Sequence, residues 1–499
     1  MFAAADHARS FISFPQEAIQ LATLLTQLEQ ARWWEFWRWS GAAQSVSEPP
    51  LRAELFSADQ MEQHGRSLAA GHRLSPRRTR DRLLSRLANN EEVLVGAGNL
   101  LKEALEANQR IAPAGEWLLD NFYLIEEQVR TAKRHLPKAY SRQLPRLLNG
   151  PSARLPRAYD IALEAVSHGD GRLDPESLRR FVAAYQSVVP LKLGELWAIP
   201  IMLRLALIEN LRRVSARIAA ATTERKRADD WADQMMEVAE QDPKSLILVT
   251  ADMARSDPPM VSSFVAELAR RLQGQSAALA LPLTWIEQRL SESSLTIEQL
   301  VQAETQEQAA NQVSMSNSIG SLRFLGAMDW REFVETMSVV ERELRQDPVY
   351  GAMDFATRDR YRHVVERIAR SSSLAEGEVA QRAIQFARET PDGHVGFFLI
   401  DKGLPRLEQA AQLRLSAAER LQRAARRHAL LLYLGAIALL SVVLSAGLLA
   451  EAYADAAPDA LLALLGVASL VATSQLAVAL ANRLATALAA PQPLPRMDY

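Results

Sequence analysis

Apolar side chains recur at helical spacing along most of the chain, and the alternation that is typical of strands does not recur. Long amphipathic stretches occupy residues 77–109, 115–135 and 193–236. The pattern predicts an all-α protein, built as a multi-helix cytoplasmic bundle that is followed by a different kind of helix pair after residue 428.

Helix starts carry recognisable signals. Asp174-Pro175 places an N-cap acid before a proline in the first turn, ahead of an apolar period. Ser373, with Glu376 three residues later, has the spacing of a capping box. These signals predict helices that begin at residues 175 and 374.

Two apolar runs close the sequence. Ala429–Ala450 and Ala460–Ala481 are each 22 residues long and contain no charged residue. At a rise of about 1.5 Å per residue, each is long enough to cross a hydrocarbon core of about 30 Å. The runs predict a two-helix transmembrane hairpin, in which Ser469, Thr473 and Gln475 are candidates for polar contacts between the helices.

The flanks of the runs differ in charge. Basic residues precede the first run and follow the second: Arg423, Arg426, Arg427, His428 and Arg483. The short connection between the runs carries only acidic residues: Glu451, Asp455 and Asp459. The positive-inside rule therefore predicts that residues 1–428 and the C-terminus lie in the cytoplasm.

Composition excludes several classes of protein. The chain has 57 basic and 59 acidic residues, which argues against nucleic acid as a partner. It contains no cysteine, so it forms neither disulfides nor cysteine–metal sites. The N-terminus lacks a basic segment followed by an apolar one, and we predict no cleaved signal peptide.

Breaks in the pattern predict five segments. They are an N-terminal segment (1–50), two helical domains (51–225 and 226–428), the hairpin (429–481) and a linker (482–499). The boundary at 225 rests on the charged run 222–230, which equally fits the exposed middle of a long helix.

The N-terminal segment holds a tryptophan cluster: Trp33, Trp34, Trp37 and Trp39. Indole rings favour membrane interfaces, and they also stack on sugars or cover a helical core. We predict a membrane-interface contact, with core packing as an equal alternative and sugar stacking as a minor one.

Two charged groups are candidate docking or anion-binding surfaces. Glu116, Asp120, Glu127 and Arg130 share one helical face, together with Tyr123. Such a row is usually a solvated face or an ion-pair seam, and acid–base chemistry is the less favoured alternative.

The second group lies in and directly after a loop rich in proline and glycine: Arg142, Arg146, Arg154 and Arg157. Arginine forks suit phosphates, and surface ion pairs are the alternative.

Motifs for common chemistry are missing from the sequence. It has no phosphate-binding GxxxxGK[ST] loop, no HExxH and no GxSxG. We therefore predict no catalytic, cofactor-binding or metal-binding residue in this chain.

Several long sequence segments are more specific than these motifs: EWLLDNFYLIEEQVR (116–130), GSLRFLGAMDWREFVETMSVVE (320–341) and MDFATRDRYRHVVERIAR (353–370). With RQLPRLLNGPSARLPRAYDIALE and HVGFFLIDKGLP, they resemble the N-terminal region of the cyclic β-1,2-glucan synthases. The resemblance covers residues 51–499 and leaves out the tryptophan cluster.

The resemblance implies a bacterial inner-membrane protein involved in glucan biosynthesis from UDP-glucose. In the family, the segment LPRMDY directly precedes a metal-dependent glycosyltransferase module. In this sequence it occupies residues 494–499. UDP-glucose and a divalent metal are expected in that module, since this chain has no Asp-x-Asp motif. The expected partners are the lipid bilayer, the transferase module and, as a candidate, the nascent glucan.

Three functions follow from these expectations. The preferred one is an accessory, membrane-anchored module that supports the transferase without catalysing. The second is a role in glucan initiation, as glucose acceptor or transferase. The third is a helical scaffold or oligomerisation module that does not contact glucan. Label transfer from UDP-glucose separates the second from the others, and sugar binding separates the first from the third.

Overall fold

The computed structural model describes residues 48–75, 82–390, 393–414, 420–421, 423–425, 428–454 and 458–488. These residues form 21 α-helices and no β-strand, which confirms the predicted all-α fold. The chain divides into two compact units, Met1–Met337 and Ser338–Tyr499, and each is described by itself.

The first unit contains thirteen α-helices among its described residues. They are α1 Ala58–Gly71, α2 Leu83–Glu106, α3 Pro113–Asp120, α4 Phe122–His135, α5 Lys138–Ser141, α6 Arg157–His168, α7 Pro175–Gln186, α8 Leu193–Gln241, α9 Leu246–Ser256, α10 Ser262–Leu272, α11 Ala280–Ser291, α12 Ile297–Ala327 and α13 Trp330–Met337. Two 3₁₀ turns, Pro243–Ser245 and Ala277–Leu279, precede α9 and α11.

Helix α8 is the central element of this unit. It is 49 residues long, and every residue from 198 to 212 is buried. A helix that is buried all round needs partners on every side, and here α2, α4, α6, α12 and α13 supply them. Together with α1, α3 and α7 they enclose the first hydrophobic core.

The second half of α8 contributes to another core. Ala228, Ala232 and Met235 pack there with side chains from α9, α10 and α11, among them Phe264 and Leu268. The charged run 222–230 lies inside α8, as the second interpretation of that run allows. The predicted domain limits themselves stay a prediction.

Local signals fix several helix starts. Asp174 accepts a hydrogen bond from the backbone N–H of Ser177, so the predicted start of α7 is confirmed. Two predictions were wrong in detail. Asn121 separates α3 from α4 within a stretch expected to be one helix. The helix predicted after Ser373 begins at Glu376, because Glu378 caps the backbone N–H of Ala375 instead.

The second unit contains six short or medium helices and a long helix pair among its described residues. They are α14 Val339–Leu344, α15 Pro348–Gly351, α16 Phe355–Arg370, α17 Glu376–Glu389, α18 Val395–Ile400, α19 Leu404–Ala410, α20 Ala429–Ala454 and α21 Asp459–Leu488. The first six enclose the third hydrophobic core, which includes Tyr350, Tyr361 and Phe398.

Helices α20 and α21 pack against each other as a hairpin. They are 26 and 30 residues long, somewhat longer than the apolar runs alone. Within them, 429–454 and 461–487 have mean hydropathies of 2.4 and 2.0, and 11 % of each apolar window is buried. By length and composition, both helices could cross a membrane. Together they could form the predicted transmembrane hairpin.

Candidate functional site

The predicted face on α3 and α4 is exposed to solvent. Glu116, Asp120, Glu127 and Arg130 all lie on the surface. Arg130 makes a long ion pair of 3.8 Å with Glu126, one turn earlier. Tyr123 lies on the same face with 63 % of its surface exposed. The row is therefore a solvated face in this structure, and its use as a docking surface stays a prediction.

The four arginines of the second predicted group have different environments. Arg142 and Arg154 are exposed, and Arg154 has a left-handed backbone with φ 72°. Arg146 is buried and donates to the carbonyl oxygens of Arg154 and Ser141, so it holds the loop together. Arg157 is also buried, in a pair with Glu195.

The two predicted groups are carried by different elements. The acidic face belongs to α3 and α4, and the arginines to residues 142–157. No ion pair joins an exposed member of one group to an exposed member of the other within the part of the chain that the structure describes. The tryptophan cluster, Trp33, Trp34, Trp37 and Trp39, lies outside the described residues.

Polar contacts join the two hairpin helices at two levels. Tyr433 donates its hydroxyl to Asn482 Oδ1 at 2.6 Å, and Ser445 Oγ lies 2.8 Å from Thr473 Oγ1. Thr473 is therefore an interhelical contact, as predicted. Ser469 donates to the Gly466 carbonyl of its own helix, and Gln475 is exposed.

A buried carboxylate organises the middle of α8. Glu209 accepts hydrogen bonds from Arg86, Arg212, Arg213 and the amide of Asn90. Burial by itself raises the pKa of Glu209, but the hydrogen bonds and charges of the arginines outweigh it and lower the pKa to about 2. The carboxylate therefore stays ionised and serves packing.

The second unit has a comparable network. Glu341 accepts from Tyr350 at 2.6 Å, Arg362 at 2.7 Å and Arg345 at 2.8 Å. Burial opposes ionisation, yet these donors keep the pKa of Glu341 below its usual range. Burial and the neighbouring Glu341 raise the pKa of the Tyr350 hydroxyl. Both groups are locked in one protonation state, as suits a structural role.

Tyr185, His72 and Asp160 form a relay of hydrogen bonds. His72 Nδ1 lies 2.8 Å from the Tyr185 hydroxyl, and its Nε2 lies 2.9 Å from Asp160 Oδ2. A carboxylate, a histidine and a hydroxyl in this order resemble the groups that activate a hydroxyl nucleophile. Tyr185, however, is fully buried, and burial raises its pKa to about 12. In this conformation the relay stabilises the contact between α6 and α7.

A second histidine cluster is reachable from solvent. His64 Nε2 lies 2.8 Å from Glu164 Oε2, and His168 Nε2 lies 3.3 Å from the same oxygen. The side chains are 25 %, 30 % and 11 % exposed in the order His64, Glu164, His168. This cluster was not predicted from the sequence, although Glu164 and His168 lie one helical turn apart on α6.

An open groove lies on the second unit, with a cavity volume of about 290 Å³. Most of its lining residues carry amide or charged groups, and they come from α17 and the end of α14: Glu343, Gln346, Gln381, Ile384, Gln385, Arg388 and Glu389. Arg388 donates to Gln346 Oε1 at 2.7 Å. Amides and carboxylates that face solvent in a shallow groove are suited to the hydroxyl groups of a sugar.

The chain is similar to the cyclic beta-(1,2)-glucan synthase NdvB of Rhizobium meliloti (strain 1021). The two are 32 % identical over 370 residues, which is 72 % of this chain and 13 % of the synthase. This similarity confirms the predicted resemblance to a cyclic β-1,2-glucan synthase. The chain spans only that small share of its relative, and no family model matches it.

Proposed function

From this similarity we propose that the chain takes part in the synthesis of cyclic β-1,2-glucan from UDP-glucose, as a membrane-anchored accessory module. The supporting observation is 32 % identity over 370 residues to a cyclic β-1,2-glucan synthase. In this proposal the module supports a glucosyltransferase, while UDP-glucose and the metal of the transfer reaction bind to the transferase.

The role as an accessory is supported by how the chain uses its ionisable groups. Glu209, Glu195 and Glu341 are each saturated by arginine donors inside the helical units. Groups held in this way stabilise a fold and have no proton to exchange with a substrate. The exposed ionisable groups of the α3–α4 face are, in this proposal, a docking surface for the transferase.

Glucose transfer tests the accessory role. Membranes that contain only this chain are incubated with radiolabelled UDP-glucose and Mg²⁺ or Mn²⁺. They are compared with membranes that hold the Rhizobium meliloti synthase without the matched 370 residues, and with membranes that hold both proteins. We expect labelled glucan only when both are present. Label bound covalently to this chain alone would overturn the proposal and make initiation its function.

We place the protein in the bacterial inner membrane, with residues 1–428 and the C-terminus in the cytoplasm. The flanking charges support this orientation, since Arg423 and Arg483 lie at one end of the hairpin and Glu451 at the other. The orientation would put the helical units where UDP-glucose is made.

The absence of native cysteines allows a clean test of orientation. Single substitutions Ala454→Cys and Ala487→Cys put one thiol at each end of the hairpin, both at exposed positions. A membrane-impermeant maleimide should label Ala454→Cys in intact spheroplasts and Ala487→Cys only after permeabilisation. The reverse pattern would place the helical units outside the cytoplasm.

We further propose that nascent glucan rests in the groove between α14 and α17. Gln381 and Gln385 line the groove, and their amides both donate and accept hydrogen bonds. Isothermal titration calorimetry with linear β-1,2-gluco-oligosaccharides should show binding to the unaltered chain. The double variant Gln381→Leu/Gln385→Leu should not bind them. Gln302→Leu, at an exposed position on α12, is the control. Lack of binding by the unaltered chain would favour a scaffold without glucan contact.

A further inference from the structure

We propose that His64, Glu164 and His168 form a binding site for a divalent transition metal, with zinc as the ion that fits best. The site belongs to the first unit and does not depend on the proposed role in glucan synthesis. Two imidazoles and one carboxylate, without cysteine, form a ligand set that zinc accepts, with water in the fourth position.

The three donor atoms already converge. One ring nitrogen of His64, one of His168 and a carboxylate oxygen of Glu164 lie within 4.8 Å of one another. Zinc bonds of about 2.0–2.1 Å place neighbouring ligand atoms about 3.3 Å apart in a tetrahedron. The distance from His168 Nε2 to Glu164 Oε2 is 3.3 Å, and that from His64 Nε2 is 2.8 Å. His64 Nε2 would move away from Glu164 Oε2 by about half an ångström to reach the same spacing.

The other nitrogen of His168 fixes which atom can bind the metal. Nδ1 lies 2.7 Å from the backbone oxygen of Glu54, and a carbonyl oxygen only accepts. Nδ1 therefore carries a proton, and in the neutral ring Nε2 presents a lone pair toward the Glu164 carboxylate. These two acceptors are brought together either by a second proton on the ring or by a metal ion between them. Metal-binding histidines commonly hold their second nitrogen in this way.

The surroundings hold the ligands in place. Backbone hydrogen bonds from Ala53 to Ser167 and from Phe56 to His168 tie the Glu54 segment to the end of α6. The Phe56 ring stacks on His168 with centroids 3.8 Å apart and planes at 9°. These contacts keep His168 from turning away from Glu164.

The helix that carries His64 is also fixed. At Gly65 the backbone of α1 comes so close to α7 that an added Cβ would lie 2.9 Å from the Phe181 carbonyl oxygen. A metal bound here would join α1 to α6, whose ligands are about 100 residues apart in sequence. Exposure of His64 and Glu164 leaves room for a water ligand.

Metal titration of the full chain in detergent tests the site. ZnCl₂ should bind with a stoichiometry of one, MgCl₂ should not bind, and CoCl₂ should give the visible absorption of a four-coordinate ion. His168→Gln or Glu164→Gln should weaken zinc binding by more than about 100-fold, since loss of a supporting contact alone costs 10–100-fold. His135→Gln, at an exposed histidine outside the cluster, should leave binding unchanged.

If the unaltered chain bound no zinc, the proposal would be overturned, and the cluster would be an ion pair between protonated histidine and Glu164. Equal binding by the His168 and His135 variants would overturn it too. If a ligand variant does not fold, X-ray absorption of zinc on the unaltered chain decides. Two imidazole nitrogens in the first shell would support the site, and a shell of oxygens alone would refute it.

Discussion

Arg157 and Glu195 face each other inside the first unit through two hydrogen bonds of 2.6 Å, with side chains 2 % and 1 % exposed. Arg157 also donates to the Pro190 carbonyl, and Glu195 accepts from the backbone N–H of Lys192. Burial disfavours the charged guanidinium, but the hydrogen bond and charge of Glu195 raise the pKa of Arg157 overall. The pair joins the start of α6 to the start of α8.

Removing one partner of this pair should destabilise the first unit strongly. Arg157→Leu leaves Glu195 buried without its counter-charge, which costs about 3–5 kcal/mol. The double variant Arg157→Leu/Glu195→Leu should regain most of that loss, because no charge stays buried. The measurement is the urea midpoint of the full chain in detergent, followed by tryptophan fluorescence.

A surface arginine provides the control for that experiment. Arg130→Leu removes only an exposed pair of 3.8 Å and should change stability by less than about 0.5 kcal/mol. If Arg157→Leu were as stable as the double variant, the pair would not be the element that holds α6 to α8.

Acid should weaken the first unit through Glu209. Its pKa is about 2 in the folded chain, below the ordinary value of 4.5. A group whose pKa is lowered by folding contributes stability above the unfolded value, and that stability is lost as the pH falls from about 4.5 toward 2. The full effect is roughly 3 kcal/mol.

Glu209→Gln isolates this contribution from the other carboxylates. The variant should be less stable at pH 7, and the difference from the unaltered chain should shrink between pH 4.5 and 2. Urea midpoints at several pH values measure it. A difference that stayed constant down to pH 2 would show that the carboxylate is not the titrating group.

Two glycines should respond to alanine with opposite signs. Gly171 has φ +79°, and an added Cβ would collide with the hydroxyl of Ser318 on α12. Gly171→Ala should cost at least about 1–2 kcal/mol for the backbone alone. Gly320 is helical and faces open space, so Gly320→Ala should stabilise by about 0.5–1 kcal/mol. The thermal midpoint should fall for Gly171→Ala and rise for Gly320→Ala. A change of the same sign in both variants would refute this prediction.

The hairpin should lose stability when its interhelical hydroxyl contact is removed. Thr473→Val abolishes the contact with Ser445, which is worth about 0.6 kcal/mol in a membrane protein. Ser474→Ala is the matched control, because Ser474 donates to Val471 of its own helix. Denaturation in mixed detergent micelles compares the two. Equal loss in both would mean that Thr473 has no interhelical role.

Charge reversal on the α3–α4 face should impair assembly with the transferase. Glu116→Lys with Arg130→Glu should lower glucan synthesis by about tenfold, since like charges set against each other oppose docking. The control is Asp252→Lys with Arg255→Glu, which reverses an exposed pair on α9. Co-purification and label incorporation are measured in parallel, and intact assembly in the first variant would refute the docking surface.

Local signals made the helices and the hairpin predictable. Apolar spacing, the Asp174 cap and the uncharged runs each lie within a few turns of chain, and the structure has helices at each. The break at Asn121 was not predicted. The Asn121 side chain donates locally to the Trp117 carbonyl oxygen and accepts from Arg323, about 200 residues away, and the second contact cannot be read from the local sequence.

The partners of single charged residues could not be read from the sequence. Arg157 follows a proline-rich loop, where arginine is usually exposed, and its burial depends on Glu195, 38 residues later. The cluster of His64, Glu164 and His168 likewise needs α1 placed beside α6. Spacing on α6 predicts only two of the three ligands, and packing supplies the third.

Helix α8 belongs to two hydrophobic cores, the first through residues 193–218 and the second through residues 228–239. Since one uninterrupted helix serves both, unwinding of that helix would expose apolar side chains in both cores. The cores should therefore open as one cooperative unit, with the amide hydrogens of residues 198–212 among the last to exchange with deuterium. A continuous helix thus couples the opening of one core to the opening of the other.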